Sequence, residues 1–101
     1  NKIDPIPIYK IEDAISGYYL RIRVSDKPGV LAEITKLFGD KKISIDAMLQ
    51  KEPQEHESEA DIVILSHLAV EKDINAVIDS IESLSATIGK VIKIRLEELS
   101  K

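Results

Sequence analysis

Four stretches of the chain carry the hydrophobic pattern of β-strands. Apolar and polar residues alternate over residues 18–24, 43–49 and 91–96, which predicts strands with one buried face. Residues 62–65 are all apolar, which predicts a further strand that is covered on at least one face. This covered strand is the third in chain order.

Two other stretches carry apolar residues at helical spacing. Residues 30–38 predict an amphipathic helix that has Pro28 in its first turn and ends near residues 39–42. Residues 70–84 predict a second amphipathic helix. Residues 1–17 contain two prolines and close on a Ser-Gly pair, so we interpret them as an extended connector and residues 18–101 as the folded domain.

The predicted order of elements is typical of the ferredoxin-like α+β fold, βαββαβ. Right-handed crossovers then give a four-stranded antiparallel sheet with the first and third strands in the middle and both helices on one face. The other face of the sheet is left open. Because this fold serves many unrelated functions, the function has to be argued from particular residues.

Composition removes several classes of function. The chain has 18 acidic and 14 basic residues and a net charge of -4, which disfavours nucleic acid as a partner. It has no cysteine, so thiolate metal sites and cysteine nucleophiles are excluded. No apolar run approaches the roughly 18 residues of a membrane span, and we expect no membrane partner and a cytoplasmic location. The chain begins with Asn1 rather than Met, which predicts a piece of a longer polypeptide.

The sequence contains none of the usual groupings of catalytic or base-stacking residues. No aromatic residue occurs in residues 61–66, where RNA-binding domains of this fold stack bases. The polar run EPQEHESE at residues 52–59 predicts an acidic hairpin between the second and third strands, and it contains His56. His67 lies at the end of the third strand, and neither histidine has a nucleophile or a regular metal spacing beside it. We interpret His56 as part of a solvated hairpin tip and His67 as a strand-end residue.

Four basic residues occur on two strands that are predicted to be neighbours. Arg21 and Arg23 on the first strand, and Lys93 and Arg95 on the fourth, are expected to share the open face of the sheet. This basic patch is either a solvated face balanced by acidic neighbours or a docking surface for another domain.

The most informative segment joins the first strand to the first helix, and consists of Asp26, Lys27, Pro28, Gly29, Val30 and Leu31. Free N–H groups of the first helical turn and the positive end of the helix dipole point at one spot there. Gly29 lets an incoming group approach the main chain, and Asp26 supplies an anion for an ammonium group. The segment therefore suits the two charged ends of an amino acid. The structural alternative is that Asp26 caps the helix and Pro28-Gly29 only makes the turn.

Three motifs together resemble the ACT domain, a small regulatory module that binds amino acids. They are YYLR at residues 18–21, VSDKPGVLA at 24–32 and ISIDAMLQK at 43–51. The combination looks like the C-terminal ACT domain of bacterial homoserine dehydrogenases, and the resemblance runs from about residue 18 to residue 99.

The resemblance implies a function for the parent enzyme and a site in this chain. Homoserine dehydrogenases reduce aspartate semialdehyde to homoserine with NAD(P)H, and the ACT module senses an end product, typically threonine. The implied effector site is the segment Asp26 to Leu31, closed by Ser44 and Ile45 of a neighbouring copy, although many amino-acid-binding ACT domains carry Asn where this chain has Ser44. The 101 residues lack a dinucleotide fingerprint, so we expect no cofactor and no catalysis here, with NAD(P) bound in the catalytic domain of the full chain.

Two alternatives to this function stay open. One is a structural dimerisation domain that binds no ligand, and the other is an ACT domain that regulates a different enzyme of amino-acid metabolism. The second strand, which begins at Ile43 and ends at Lys51, is an edge strand with few charges. Its pairing with a second copy about a two-fold axis predicts a homodimer.

Overall fold

The secondary structure follows the predicted order. A computed structural model describes residues 15–51 and 58–96. Its elements are β1 (Ile15–Ser25), α1 (Val30–Asp40), β2 (Ile45–Lys51), β3 (Glu59–Val70), α2 (Glu71–Glu82) and β4 (Ile92–Arg95). Neighbouring strands are antiparallel and lie in the order β2-β3-β1-β4. The ferredoxin-like prediction, with the first and third strands at the centre, is confirmed.

The core lies between the two helices and one face of the sheet. Alternate residues of β1 and β3 point into it, and the largest fully buried side chains are Tyr18, Leu20, Ile22, Ile62, Ile64, Ile34, Phe38, Ile74 and Ile81. Burial of each such side chain contributes about 1.5–3 kcal/mol. Because a slip of one residue would move a whole set of these side chains to the other face, the core fixes the register of the central strands.

Some boundaries differ from the predicted ones. β1 begins at Ile15, three residues before the predicted start, and residues 1–14 of the predicted connector lie outside the described residues. α1 begins at Val30, so Pro28 lies in the turn before the helix rather than in its first turn. β3 is longer than predicted at both ends, since it begins at Glu59 and its pairing with β1 continues beyond the register shift to Val70.

The predicted basic patch is wrong, because Lys93 and Arg95 do not lie on the open face. The register pairs them with Leu20 and Tyr18, whose side chains point towards the helices. The Lys93 ammonium group donates hydrogen bonds to side chains of α2, among them Glu71. That contact fixes which face of β4 turns inwards.

As a result, the isoleucines of β4 lie on the open face. Ile94 stands opposite Tyr19, and Ile92 stands opposite Arg21. Both isoleucines are exposed. The open face is therefore more apolar and less basic than predicted.

The sheet is irregular at the end where β1 begins. Register shifts occur between Ser16 and Tyr18 in β1 and between Ile45 and Ala47 in β2. Both strands pair with Ser66 at this end, and its buried hydroxyl accepts the Tyr18 N–H at 3.1 Å. The same hydroxyl donates to the main-chain carbonyl of the next residue at 2.9 Å. Ser66 therefore stabilises an irregular segment through its side chain.

A Schellman motif ends α1. The N–H of Ile43 donates to Phe38 O at 3.0 Å, and the N–H of Lys42 donates to Gly39 O at 2.9 Å. This motif places Lys42 in the left-handed region at φ 59°, where glycine is the favoured residue.

We expect Lys42→Gly to stabilise the protein by about 1 kcal/mol, because glycine removes the cost of the left-handed conformation. Urea denaturation followed by circular dichroism measures the free energy of unfolding. The matched control is Lys41→Gly, since Lys41 has φ -98° and glycine there only adds chain entropy to the unfolded state. Equal effects of the two substitutions would contradict the prediction.

Candidate functional site

The turn between β1 and α1 is held at its start by two main-chain hydrogen bonds. The N–H of Ser25 donates to Ala86 O at 2.7 Å, and the N–H of Asp26 donates to Ser58 O at 2.8 Å. The residues that accept these bonds lie in the loop before β4 and just before β3. Two separate parts of the fold therefore position the beginning of the turn.

The rest of the turn is open to solvent. Residues 26–29 are exposed, whereas Val30 is buried and Leu31 packs partly against the core. The apolar residues at 30 and 31 thus anchor the helix. The four residues before them remain accessible to a ligand.

Gly29 is the N-cap of α1, and it has φ 85°. No side chain among the described residues makes a capping hydrogen bond at this position, so the alternative that Asp26 caps the helix is wrong. The Gly29 carbonyl accepts the N–H of Glu33 at 3.0 Å, which leaves the N–H groups of residues 30–32 without an acceptor inside the helix. A Cβ atom at Gly29 would meet nothing within 4 Å. The end of the helix can therefore accept a small anion such as a carboxylate group.

Ser44 and Ile45, the other two predicted site residues, lie at the opposite end of the sheet. Ile45 stands opposite Ser66, which in turn stands opposite Tyr18 near the start of β1. β2 runs parallel to β1, and its seven residues span about 20 Å. One chain therefore does not bring the two halves of the predicted site together, and the prediction that they come from two copies stays a prediction.

A buried polar cluster that sequence reasoning missed joins β1, α2 and β4. The Tyr18 hydroxyl and the Lys93 ammonium group both donate to the carboxylate of Glu71. Lys93 also donates to Asn75 Oδ1 at 2.9 Å and lies 5.9 Å from the centre of the Tyr18 ring. This cluster fastens the first two turns of α2 to the sheet.

The cluster shifts the pKa values of its members. Burial alone would raise the pKa of Glu71, but the hydrogen bonds from Lys93 and Tyr18 outweigh burial and lower it. Burial and the neighbouring carboxylate raise the pKa of Tyr18. Glu71 is therefore held as a carboxylate and Tyr18 as a neutral hydroxyl, which is a structural rather than a catalytic state. The available sequence signal was a lone lysine between two isoleucines, with a glutamate directly after an apolar strand.

A second ionic cluster lies on the open face. Arg21 and Arg23 donate to the buried carboxylate of Asp61 at 3.1 and 3.0 Å, and Arg23 also donates to Glu59 at 2.9 Å. The hydrogen bond from Arg23 outweighs burial and, with the bond from Arg21, lowers the pKa of Asp61. The two arginines are therefore balanced by acidic neighbours, as one of the two interpretations of this face predicted.

The histidines do not add a metal site to the part of the chain that the structure describes. His67 is exposed, and its Nδ1 lies 3.3 Å from the carboxylate of Asp46. Within residues 15–51 and 58–96, no group of three or more His, Asp or Glu side chains is placed to hold a metal ion. His56 lies outside the described residues. Nor is any helix in these ranges long and apolar enough to cross a membrane.

Comparison with known proteins decides the family. Residues 18–86 match the family model described as the ACT domain. The chain belongs to the ACT-domain family. The matched segment begins at Tyr18, includes the Gly29 turn and ends in the loop after α2, so it contains every predicted site residue of this ACT domain.

Full-length relatives of this ACT domain are much longer proteins. A homoserine dehydrogenase of Methylobacillus glycogenes is 54% identical over 101 residues, which is 100% of this chain and 24% of that protein. A homoserine dehydrogenase of Pseudomonas aeruginosa is 37% identical over 93% of this chain and 22% of its own length. The chain therefore spans about a quarter of the curated relatives that it matches.

Solved structures agree with this relationship. The crystal structure of a homoserine dehydrogenase from Thiobacillus denitrificans superposes with a TM-score of 0.83 at 47% identity, over 97% of this chain and 21% of that one. The regulatory subunit of aspartate kinase from Thermus thermophilus gives a TM-score of 0.60 at 16% identity, over 80% of this chain and 53% of that one. The second match shows a shared fold only.

We expect Glu71→Gln to destabilise the domain by about 3 kcal/mol at pH 7, because it leaves the half-buried Lys93 without its counter-charge. The folded-state pKa of Glu71 is lowered, so its contribution to stability is present above the ordinary carboxyl range and is lost as the pH falls through the folded value. The difference in the free energy of unfolding between wild type and Glu71→Gln should therefore become smaller on acidification. Chemical denaturation at pH 7 and pH 3 measures it.

The matched control is Asp79→Asn, which changes an exposed carboxylate on the same helix and should alter stability little at either pH. A Glu71→Gln effect of equal size at both pH values would show that the carboxylate charge contributes nothing.

Proposed function

We propose that the chain is the regulatory ACT domain of a homoserine dehydrogenase and that it binds a small amino acid, with threonine as the first candidate. Binding of this amino acid gives feedback control of the reduction of aspartate semialdehyde to homoserine. Similarity to several homoserine dehydrogenases over 91–100% of this chain supports the choice of parent enzyme. The observation that carries the binding proposal is the uncapped N-terminus of α1 at Gly29, which is open to solvent.

The amino acid places its carboxylate on the N–H groups around Gly29 and Leu31, where the helix dipole favours negative charge. Asp26 is exposed three residues earlier and supplies an anion for the ammonium group. Lys27 and Pro28 shape the turn between them. The turn thus offers complementary groups for both charged ends of the ligand, and the side chain of the ligand points away from the main chain.

The site is completed at the seam of a homodimer in this proposal. Pairing of β2 with its copy merges two sheets into one and brings Ser44 and Ile45 of one protomer towards the turn of the other. Ligand binding then depends on how the two copies are arranged. A ligand that favours one arrangement shifts the population towards it, and an attached catalytic domain that binds NAD(P) senses the change.

A second candidate function is dimerisation without a ligand. Ser44 supports it, because the resemblance implies Asn at this position in many ACT domains that bind amino acids. Titration calorimetry with threonine and then the other amino acids separates the two functions, since a purely structural domain gives no binding heat with any of them.

We expect Gly29→Asp to weaken threonine binding roughly a hundredfold, or about 2.7 kcal/mol. The substitution puts a side chain and a like charge where the ligand carboxylate binds. Titration calorimetry measures the affinity.

Gly89→Asp is the matched control for this test. Gly89 also has a positive φ, at 74°, and a Cβ atom there would likewise meet nothing within 4 Å, but it lies in the loop before β4. The two variants therefore share the backbone strain and the added charge. Unchanged affinity in a folded Gly29→Asp protein, or equal losses in both variants, would place the site elsewhere.

We expect the protein to sediment as a dimer at tens of micromolar, with β2 at its two-fold axis. Met48 is the central residue of β2 and is partly exposed, so Met48→Lys would bring two ammonium groups close to that axis. Like charges that stand opposite each other destabilise a strand pair, and the variant should therefore be monomeric. Analytical ultracentrifugation with and without threonine measures this.

Ala47→Pro tests the same edge through the backbone, because proline removes a main-chain donor from β2. Lys36→Glu, an exposed change on α1, is the control and should leave the dimer intact. A wild-type protein that remains monomeric would contradict the dimer, and a dimer that survives both β2 variants would move the interface to another surface.

A further inference from the structure

The strand register orders the open face of the sheet into rows of residues that run across neighbouring strands. The row nearest the start of β1 has no charged residue, and consists of Ala47, Leu65, Tyr19 and Ile94. The next row contains one charged residue and consists of Leu49, Val63, Arg21 and Ile92. The third row is charged, with Lys51, Asp61 and Arg23. We call the first two the apolar rows.

The apolar rows are accessible along much of their length. Leu49 is 65% exposed, Ile92 51% and Ile94 52%. A depression of about 190 Å³ opens between β2 and β3 on this face, and is lined by Ala47, Met48, Leu49, Val63 and Leu65. Contiguous apolar patches that are bordered by charged residues are often interaction sites.

Further apolar side chains extend this surface beyond the end of the sheet. Ile15 is 54% exposed and Leu68 53%, and both lie where β1 begins and β3 ends. Leu96 is also exposed, and its N–H donates to Gly17 O at 2.9 Å. The described chain enters β1 and leaves β4 at this same end. Whatever part of the polypeptide is joined to the domain on either side is therefore tethered next to the apolar rows.

We propose that the apolar rows are the docking surface for the remainder of the same polypeptide, which in the relatives makes up about three quarters of the length. This docking proposal depends on the proposed function in one respect: the domain is joined to the catalytic part of a dehydrogenase.

The size and charge of the surface favour this occupant over a second copy. The apolar rows form a strip of only about 19 Å by 14 Å, two rows long and four strands wide, whereas a stable dimer buries about 800 Å² of accessible surface per partner. A tethered domain needs less contact area, because the tether supplies a high effective concentration. Arg21 and Arg23 already have carboxylate partners within the chain, so stacking two open faces would form no new ion pair.

Cysteine labelling of the full-length dehydrogenase tests the proposal. These 101 residues contain no cysteine, so Ile94→Cys introduces a unique thiol into this part of the protein. Ile94 lies on β4, the edge opposite β2, and a dimer through β2 does not cover it. Lys72→Cys, on the exposed side of α2, is the matched control. Peptide mass spectrometry measures the rate of the maleimide reaction at each site, and this rate is divided by the rate at the same site in urea.

We expect Cys at position 94 to react at least tenfold more slowly than Cys at position 72, at every protein concentration. A photoreactive maleimide attached there should cross-link to a peptide of the dehydrogenase part. Equal rates at the two sites would overturn the proposal. Protection that is lost on dilution, or a disulfide between two copies of position 94, would assign the surface to a second copy and overturn it as well. Ile92→Cys provides a second position if the first variant does not fold.

Threonine binding to the same variants separates this proposal from the proposed function. An unprotected thiol in a protein that binds threonine contradicts only the docking surface. A protected thiol in a protein without threonine binding contradicts only the effector.

Discussion

The position of β1 between β3 and β4 is the constraint on which the rest of the structure depends. Both of its edges are paired, and its alternate residues, Tyr18 to Val24, fill the core beneath the helices. Once that face of β1 is buried, the registers assign a face to every paired residue of the other three strands. The turn at Gly29 and the apolar rows follow from this assignment, since the turn begins where β1 ends and the rows continue across from its outward residues.

The fold could be predicted from the sequence because its signals are redundant. Three alternating strands, two amphipathic helices and one apolar strand occur in an order that few topologies accommodate. Which face of β4 turns towards the helices could not be predicted in the same way. A strand that alternates isoleucine with a basic residue is compatible with either orientation, and the contact of Lys93 with Glu71, which is distant in sequence, decides between them.

The candidate site could likewise be predicted only in part. A turn at Gly29 could be predicted, since Pro28-Gly29 stands directly before an apolar helical pattern, and the structure shows Gly29 there in the left-handed conformation. The sequence left open whether Asp26 caps the helix, and the structure excludes it because Asp26 lies three residues before the N-cap and its main chain is held by Ser58. The position of Ser44 relative to the turn follows from the parallel direction of β1 and β2, which local sequence does not encode.

The hydroxyl of Ser66 helps to connect three strands at the end of the sheet where β1 begins. The N–H of the next residue, His67, donates to Ser44 O at 2.9 Å, while the Ser66 hydroxyl accepts the N–H of Tyr18. The first residues of β2 are thus fastened to the irregular segment of β3, and that segment is fastened to β1. A displacement at the start of β2 either breaks the His67–Ser44 bond or pulls on the point where the polypeptide enters the domain. Two hydrogen bonds therefore link the start of β2 to the start of β1 at this end of the sheet, whereas β1 from Leu20 to Ser25 pairs regularly with β3.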